Sequence, residues 1–253
     1  VAGASSTLGA VARHLPGLQR RCRRLSLAAL SVGTVALVAD LGRPSRFANM
    51  LRVFRPSSPM SMGSWLLAAY GPAAGAAAVL PDAIAAPAGA VAGLAGLPLA
   101  GYTGVLVAAT AVPAWQEASQ SLPFLFTASG VAGAASLLSF GDLRDDEAAV
   151  VRRYGIAGKV GELAASAALE LEVGGVEAVA KPYREGPSSR LWRLAHLCTS
   201  LSLVLCLPRR RSRRREQLSA LTGMAGSLLV KVAVLEAGKA SAADPLATFQ
   251  RDQ

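Results

Sequence analysis

Residues 40–65 read DLGRPSRFANMLRVFRPSSPMSMGSW, a basic, proline-punctuated segment set between two apolar runs. Arg43, Arg46, Arg52 and Arg55 cannot lie unpaired in hydrocarbon, because a charged side chain at mid-bilayer costs at least ~2.5 kcal/mol on insertion scales. The segment therefore predicts an interfacial loop over residues 40–61, and its flanks predict membrane helices.

Composition extends that reading to the whole chain. Hydrophobic residues make up 52% and charged residues 17%, with a mean hydropathy of +0.39. Aromatic residues are only 5%, so the apolar mass is Ala, Leu, Val and Gly. Small residues let helices approach closely in lipid, where packing rather than water drives association. Since a span needs roughly 20 apolar residues, helices are predicted at about 1–12, 25–39, 62–80, 88–112, 122–140, 155–180, 191–207 and 218–235. The expected fold is all-α, a polytopic transmembrane bundle of about seven complete spans and a partial first one, in a single integral membrane domain over residues 1–253. The first run is too short to cross alone and has neither Met nor a basic n-region before it, so it does not read as a signal peptide. Residues ahead of Val1 are expected.

Alternate connections differ in charge. Arg13, Arg20, Arg21, Arg23 and Arg24 follow the first run, Arg144, Arg152 and Arg153 the fifth, and RRRSRRR at 209–215 the seventh. Fewer cations lie on the other side. The positive-inside rule then places the basic loop 208–217 in the cytoplasm, with residues 40–61 and the C-terminal tail facing outward. The formal charge of +10 also raises nucleic acid as a partner, but no aromatic residues interleave with RRRSRRR to stack bases. Arginine clusters beside apolar spans are topogenic and touch anionic lipid headgroups. Membrane lipid is the expected partner, and nucleic acid is not.

The opening stretch, GYTGVLVAATAVPAWQEASQSLPFLFTASG at 101–130 and EAGKASAADP at 236–245 together resemble the NrfD/PsrC family of integral membrane subunits, the polysulfide-reductase or nitrite-reductase type. The resemblance runs over nearly the whole chain, and VAGASSTLGA looks like the second half of that family's first helix. It implies an eight-helix bundle, N-terminally truncated here, in a bacterial cytoplasmic membrane. It also implies partners: a four-cluster ferredoxin-like iron–sulfur subunit and a catalytic subunit of molybdopterin or haem type. Electrons would pass between these and a quinone pool, menaquinone or ubiquinone, as in anaerobic respiration.

The residues permit that role without a redox centre in this chain. Cys22, Cys198 and Cys206 lack CxxC spacing, whereas a cluster takes about four thiolates. His14 and His196 are the only histidines, one near a helix end and one within a span, so a bis-histidine haem is not expected. Chemistry would then be two-electron, two-proton exchange at a bound quinone. Tyr102, beside Thr103 in the fourth span, is the best donor to a quinone carbonyl, and the resemblance implies a tyrosine of this helix in the quinone pocket. By position alone it reads equally as an interfacial anchor. Asp40, Gly42, Arg43 and Arg46 are candidates for the pocket mouth.

The sixth run supplies a signal of its own. Lys159, Glu162, Glu170 and Glu177 fall, at about 100° per residue, within a sector of roughly 80°, while Glu172 points elsewhere, toward a water boundary. Lys159 and Glu162 are spaced to pair. The stripe reads as a proton path, with Lys231 and Glu236 of the last run as partners, or equally as static ion pairs between helices. Related sequences often carry an acid at Ala109 and a histidine at Gln116, so the resemblance implies altered proton handling there. Two other classes stay open: a structural anchor without quinone activity, and a small-solute transporter, although no internal repeat supports transport.

Overall fold

The computed structural model describes residues 1–40, 49, 51, 52, 54–208 and 212–244. Gly42, Arg43 and Arg46 lie outside the described residues, as does part of the expected loop 40–61 and residues 209–211 of the basic loop. The described chain is a helix bundle. In order its helices are α1 (Ala2–Val11), α2 (Pro16–Asp40), α3 (Pro59–Val79), α4 (Asp82–Ala108), α5 (Pro113–Glu117), α6 (Ser121–Leu138), α7 (Asp145–Val173), α8 (Glu177–Arg184), α9 (Gly186–Cys206) and α10 (Arg213–Ala243). Seven of these have at least 18 residues, and α1 is the short eighth, as the apolar runs predict. Four of them, α2, α4, α6 and α10, are long and apolar enough to cross a membrane by length and composition. Of the remaining long helices, α3 has 21 residues, none charged but many of them Ala, Gly, Ser and Pro, while α7 and α9, of 29 and 21 residues, carry charged residues.

The termini follow local chemistry. Ser58 caps α3 by accepting the Ser61 N–H at 3.5 Å, and Pro59 stands at the first position, where its missing N–H costs nothing. Asp145, Asp146 and Glu147 fill the first turn of α7, where negative charge complements the helix dipole, and Glu147 accepts the Arg144 N–H at 3.1 Å. Glu172, near the other end of α7, accepts the backbone N–H groups of Gln120 at 2.9 Å and Ser121 at 3.0 Å and so caps α6 from a neighbouring helix.

Several boundaries differ from the sequence reading, for one reason. A hydropathy pattern ends where charge begins, but a helix of 29 residues is about 43 Å long and overshoots a hydrocarbon layer of about 30 Å. Its charged ends stay helical outside the apolar layer. Thus Arg20, Arg21, Arg23 and Arg24 belong to α2, Arg152 and Arg153 to α7, and Arg213, Arg214 and Arg215 open α10 instead of lying in loops. The sixth run is the main correction. It spans Asp145–Val173, not 155–180, because Gly174 and Gly175 break it, and Glu177 opens the separate helix α8.

Alternation of the long helices gives the bundle two ends. At the basic end, Arg23 meets Asp82 at 3.7 Å and Arg213 meets Asp142 at 3.0 Å. At the opposite end, the Ala114 N–H donates to Ser241 Oγ at 3.1 Å and Trp115 Nε1 to the Val234 carbonyl at 2.8 Å, docking α5 on α10. Between the ends α9 packs on α10, α6 on α7, α3 on α4, and α1 on α4. The α1–α4 crossing brings backbones together: a Cβ on Gly3 or Gly96 would fall inside the other residue's carbonyl group. Ser6, Ser26 and Tyr70 close a buried hydrogen-bonded triangle (2.8, 2.9 and 2.7 Å) that joins α1, α2 and α3.

Candidate functional site

A mostly apolar cavity of about 520 Å³ lies between α1, α2, α3, α4, α6 and α10, toward the end where α2 finishes and α3 begins. Tyr102 and Thr103 of α4 line it, and so does Lys231 of α10. Tyr102 is held there by Gly63 of α3, since a Cβ on that glycine would enter the phenol ring. Sequence reasoning placed Tyr102 and Lys231 in separate roles. The fold puts them on one cavity.

Lys231 is fixed by neutral partners. Its ammonium donates to Ser129 Oγ at 2.7 Å and to the Ser227 carbonyl at 3.0 Å, and it lies 5.8 Å from the centre of the Phe126 ring. Glu162 of α7 is 1% exposed; it forms no ion pair with Lys231 within 4 Å, and its Oε2 has no hydrogen-bond partner among the described residues. Thr199 of α9 donates to Glu162 Oε1 at 2.6 Å. Four helices, α6, α7, α9 and α10, thus converge around Glu162 and Lys231, and Lys231 reaches the wall of the cavity.

The other members of the charged stripe separate. Lys159 does not pair with Glu162: its ammonium turns toward the basic end and donates to Cys206 Sγ at 3.0 Å and Ser219 Oγ at 3.4 Å. A lysine stem is long enough to carry its charge away from the level of its own Cα, which the i,i+3 spacing could not reveal. Glu170 lies two turns beyond Glu162 and accepts the Trp192 Nε1–H at 2.6 Å. Trp192 is stacked edge-on between Tyr183 and His196, at 5.1 and 4.6 Å. Glu177 is exposed at the start of α8, off the α7 face altogether. Glu236 pairs with Lys239 at 2.8 Å on the surface of α10, away from Lys231.

Asp40 is the exposed last residue of α2. Ala109 follows α4 and Gln116 lies in α5, so neither lines the cavity. Ser129, Thr199 and Ser227 complete the polar pair, and sequence reasoning missed all three. Single hydroxyls in Ala- and Gly-rich helices carry no pattern, and only the packing of α6, α7, α9 and α10 shows them converging.

No curated protein matches the chain. The profile of the NrfD-type family described as polysulfide reductase matches residues 5–243, nearly the full length, and the chain is accordingly a member of that family, whose proteins are membrane subunits of redox complexes.

Proposed function

We propose that this chain is the quinone-interacting membrane subunit of a respiratory oxidoreductase complex in a bacterial cytoplasmic membrane. Electrons would pass between the quinone pool, menaquinone or ubiquinone, and a four-cluster ferredoxin-like iron–sulfur partner that serves a molybdopterin or haem catalytic subunit. The observation that carries the reading is the shared cavity: a phenol and a half-buried ammonium line one mostly apolar space. Its volume falls within the roughly 300–1,000 Å³ of small-molecule sites, which are mostly apolar with a few convergent polar groups. An isoprenoid quinone fits that description, with apolar walls for ring and tail and donors for its carbonyls.

The quinone supplies reversible two-electron, two-proton chemistry. The chain supplies donors and a proton reservoir. Tyr102 orients a carbonyl acceptor through its hydroxyl. Lys231, held by Ser129 and Ser227, presents a donor across the cavity and exchanges protons with Glu162, whose carboxylate Thr199 keeps in place. Of the four stripe residues and their two partners on the last run, proton handling is then assigned to Glu162 and Lys231. Proton translocation would need a further connection from this pair to one face of the bundle.

A photoreactive quinone tests the reading. In membranes carrying the intact complex it is expected to label peptides of α4 and α10, in competition with unlabelled quinol. Labelling confined to lipid-facing residues, with no competition, would refute the site.

A further inference from the structure

A second cavity, of about 350 Å³, opens at the basic end between α6, α7, α9 and α10. It is separate from the quinone reading and does not depend on it. Its floor holds Lys159, which is 3% exposed, together with Ser136 and Ser219. Three features of these residues have no use in the fold itself. Lys159 makes no ion pair among the described residues, and its two hydrogen bonds go to the neutral acceptors Cys206 and Ser219. The Ser136 hydroxyl is 2% exposed and has no hydrogen-bond partner. Arg152, half-buried on the wall, forms no hydrogen bond or ion pair among the described residues.

A buried ammonium without a counter-ion and a buried hydroxyl without a partner are each costly. The cost is removed if both face a common acceptor that carries negative charge. Gly223 of α10 keeps the floor open: a Cβ there would meet the hydroxyls of Ser136 and Ser202 and lie 3.2 Å from Lys159 Cε. The mouth carries Arg215 with Asp145 and Glu216, each already engaged with a neighbour. The unsatisfied groups on the floor and wall are therefore two cations and a hydroxyl donor. Lysine and arginine with hydroxyl donors are the usual set for phosphate.

We propose that this vestibule is a binding site for a phosphate-type oxyanion, held by Lys159 and Ser136 at the floor and by Arg152 on the wall. The group can arrive as free phosphate or as the headgroup of an anionic phospholipid, because the vestibule opens at the basic end of the bundle.

The two sources separate in one set of measurements on the intact complex in detergent. Thermal unfolding is followed while inorganic phosphate is titrated against chloride at constant ionic strength, and native mass spectrometry records phospholipid that stays bound. A saturable rise in melting temperature with phosphate alone identifies the free ion. Retained anionic phospholipid with no response to phosphate identifies the headgroup. In either case Lys159→Gln is expected to abolish the effect, and Ser136→Ala, which removes only an unpartnered hydroxyl, to weaken it several-fold while the protein stays folded. Absence of both effects in the wild type, or effects of equal size in wild type and Ser136→Ala, would overturn the proposal even if Lys159→Gln failed to fold.

Discussion

Replacing Lys231 by Met removes a charge from the buried meeting point of α6, α7 and α10 while keeping most of the side-chain volume. Two effects compete in the outcome. The lost hydrogen bonds run to neutral acceptors, Ser129 Oγ of α6 and the Ser227 carbonyl of α10 itself; an interhelical bond of the first kind averages about 0.6 kcal/mol, and the two together are worth about 1 kcal/mol. The lost charge matters more if Glu162 is ionised, since removing one partner of a buried ion pair costs about 3–5 kcal/mol. The geometry favours the first effect, because Glu162 is buried, forms no ion pair with Lys231 within 4 Å and leaves its Oε2 without a donor among the described residues, surroundings that an ionised carboxylate does not tolerate. Lys231→Met is therefore expected to destabilise by about 1 kcal/mol. Adding Glu162→Gln should change the total additively, within about 0.5 kcal/mol. Reversible unfolding in mixed micelles, followed by tryptophan fluorescence, measures all four corners of the cycle. A cost of about 3 kcal/mol or more for Lys231→Met, much of it recovered by Glu162→Gln, would show that the pair is ionic and would overturn this expectation.

Tyr70→Phe deletes the phenol from the Ser6–Ser26–Tyr70 triangle but leaves the two serines bonded, so it is expected to cost about 1 kcal/mol in the same unfolding assay. Glu172→Ala removes the carboxylate that caps α6, with an expected cost of about 1 kcal/mol and faster amide exchange at Gln120 and Ser121. An unchanged exchange rate would deny it the capping role. Gly63→Val places a Cβ where the Tyr102 ring stands; the ring must move, and overpacking of this kind costs about 1–3 kcal/mol. Helix content by circular dichroism should persist while labelling by the photoreactive quinone falls at least tenfold.

The bundle was legible because length and hydropathy suffice to count helices that must satisfy their own backbone groups in lipid. Helix ends were less legible, because Arg20–Arg24 and Asp145–Glu147 look like loop residues to a hydropathy scale yet serve well as helix ends outside the apolar layer. The stripe on α7 shows the limit of single-helix geometry. Lys159 and Glu162 share a face, but what each contacts is decided by α9 and α10: Cys206 and Ser219 for one, Thr199 for the other. The nearness of Glu162 to Lys231, 69 positions away, and of Lys231 to Tyr102 across a cavity could not be read from spacing. Gly174 and Gly175, which detach Glu177 from the stripe, were visible in the sequence and were outweighed by the apolar run around them.

Quinone turnover by the intact complex with Tyr102→Phe tests the central claim most directly. The change removes one hydroxyl donor from the cavity and nothing else, and one hydrogen bond of about 1.4 kcal/mol corresponds to about a tenfold change in rate. The account predicts roughly that loss in kcat/KM for quinol, with the partner subunits still bound and the catalytic subunit's activity toward artificial dyes unchanged. Normal quinol turnover by the assembled Tyr102→Phe complex would contradict it.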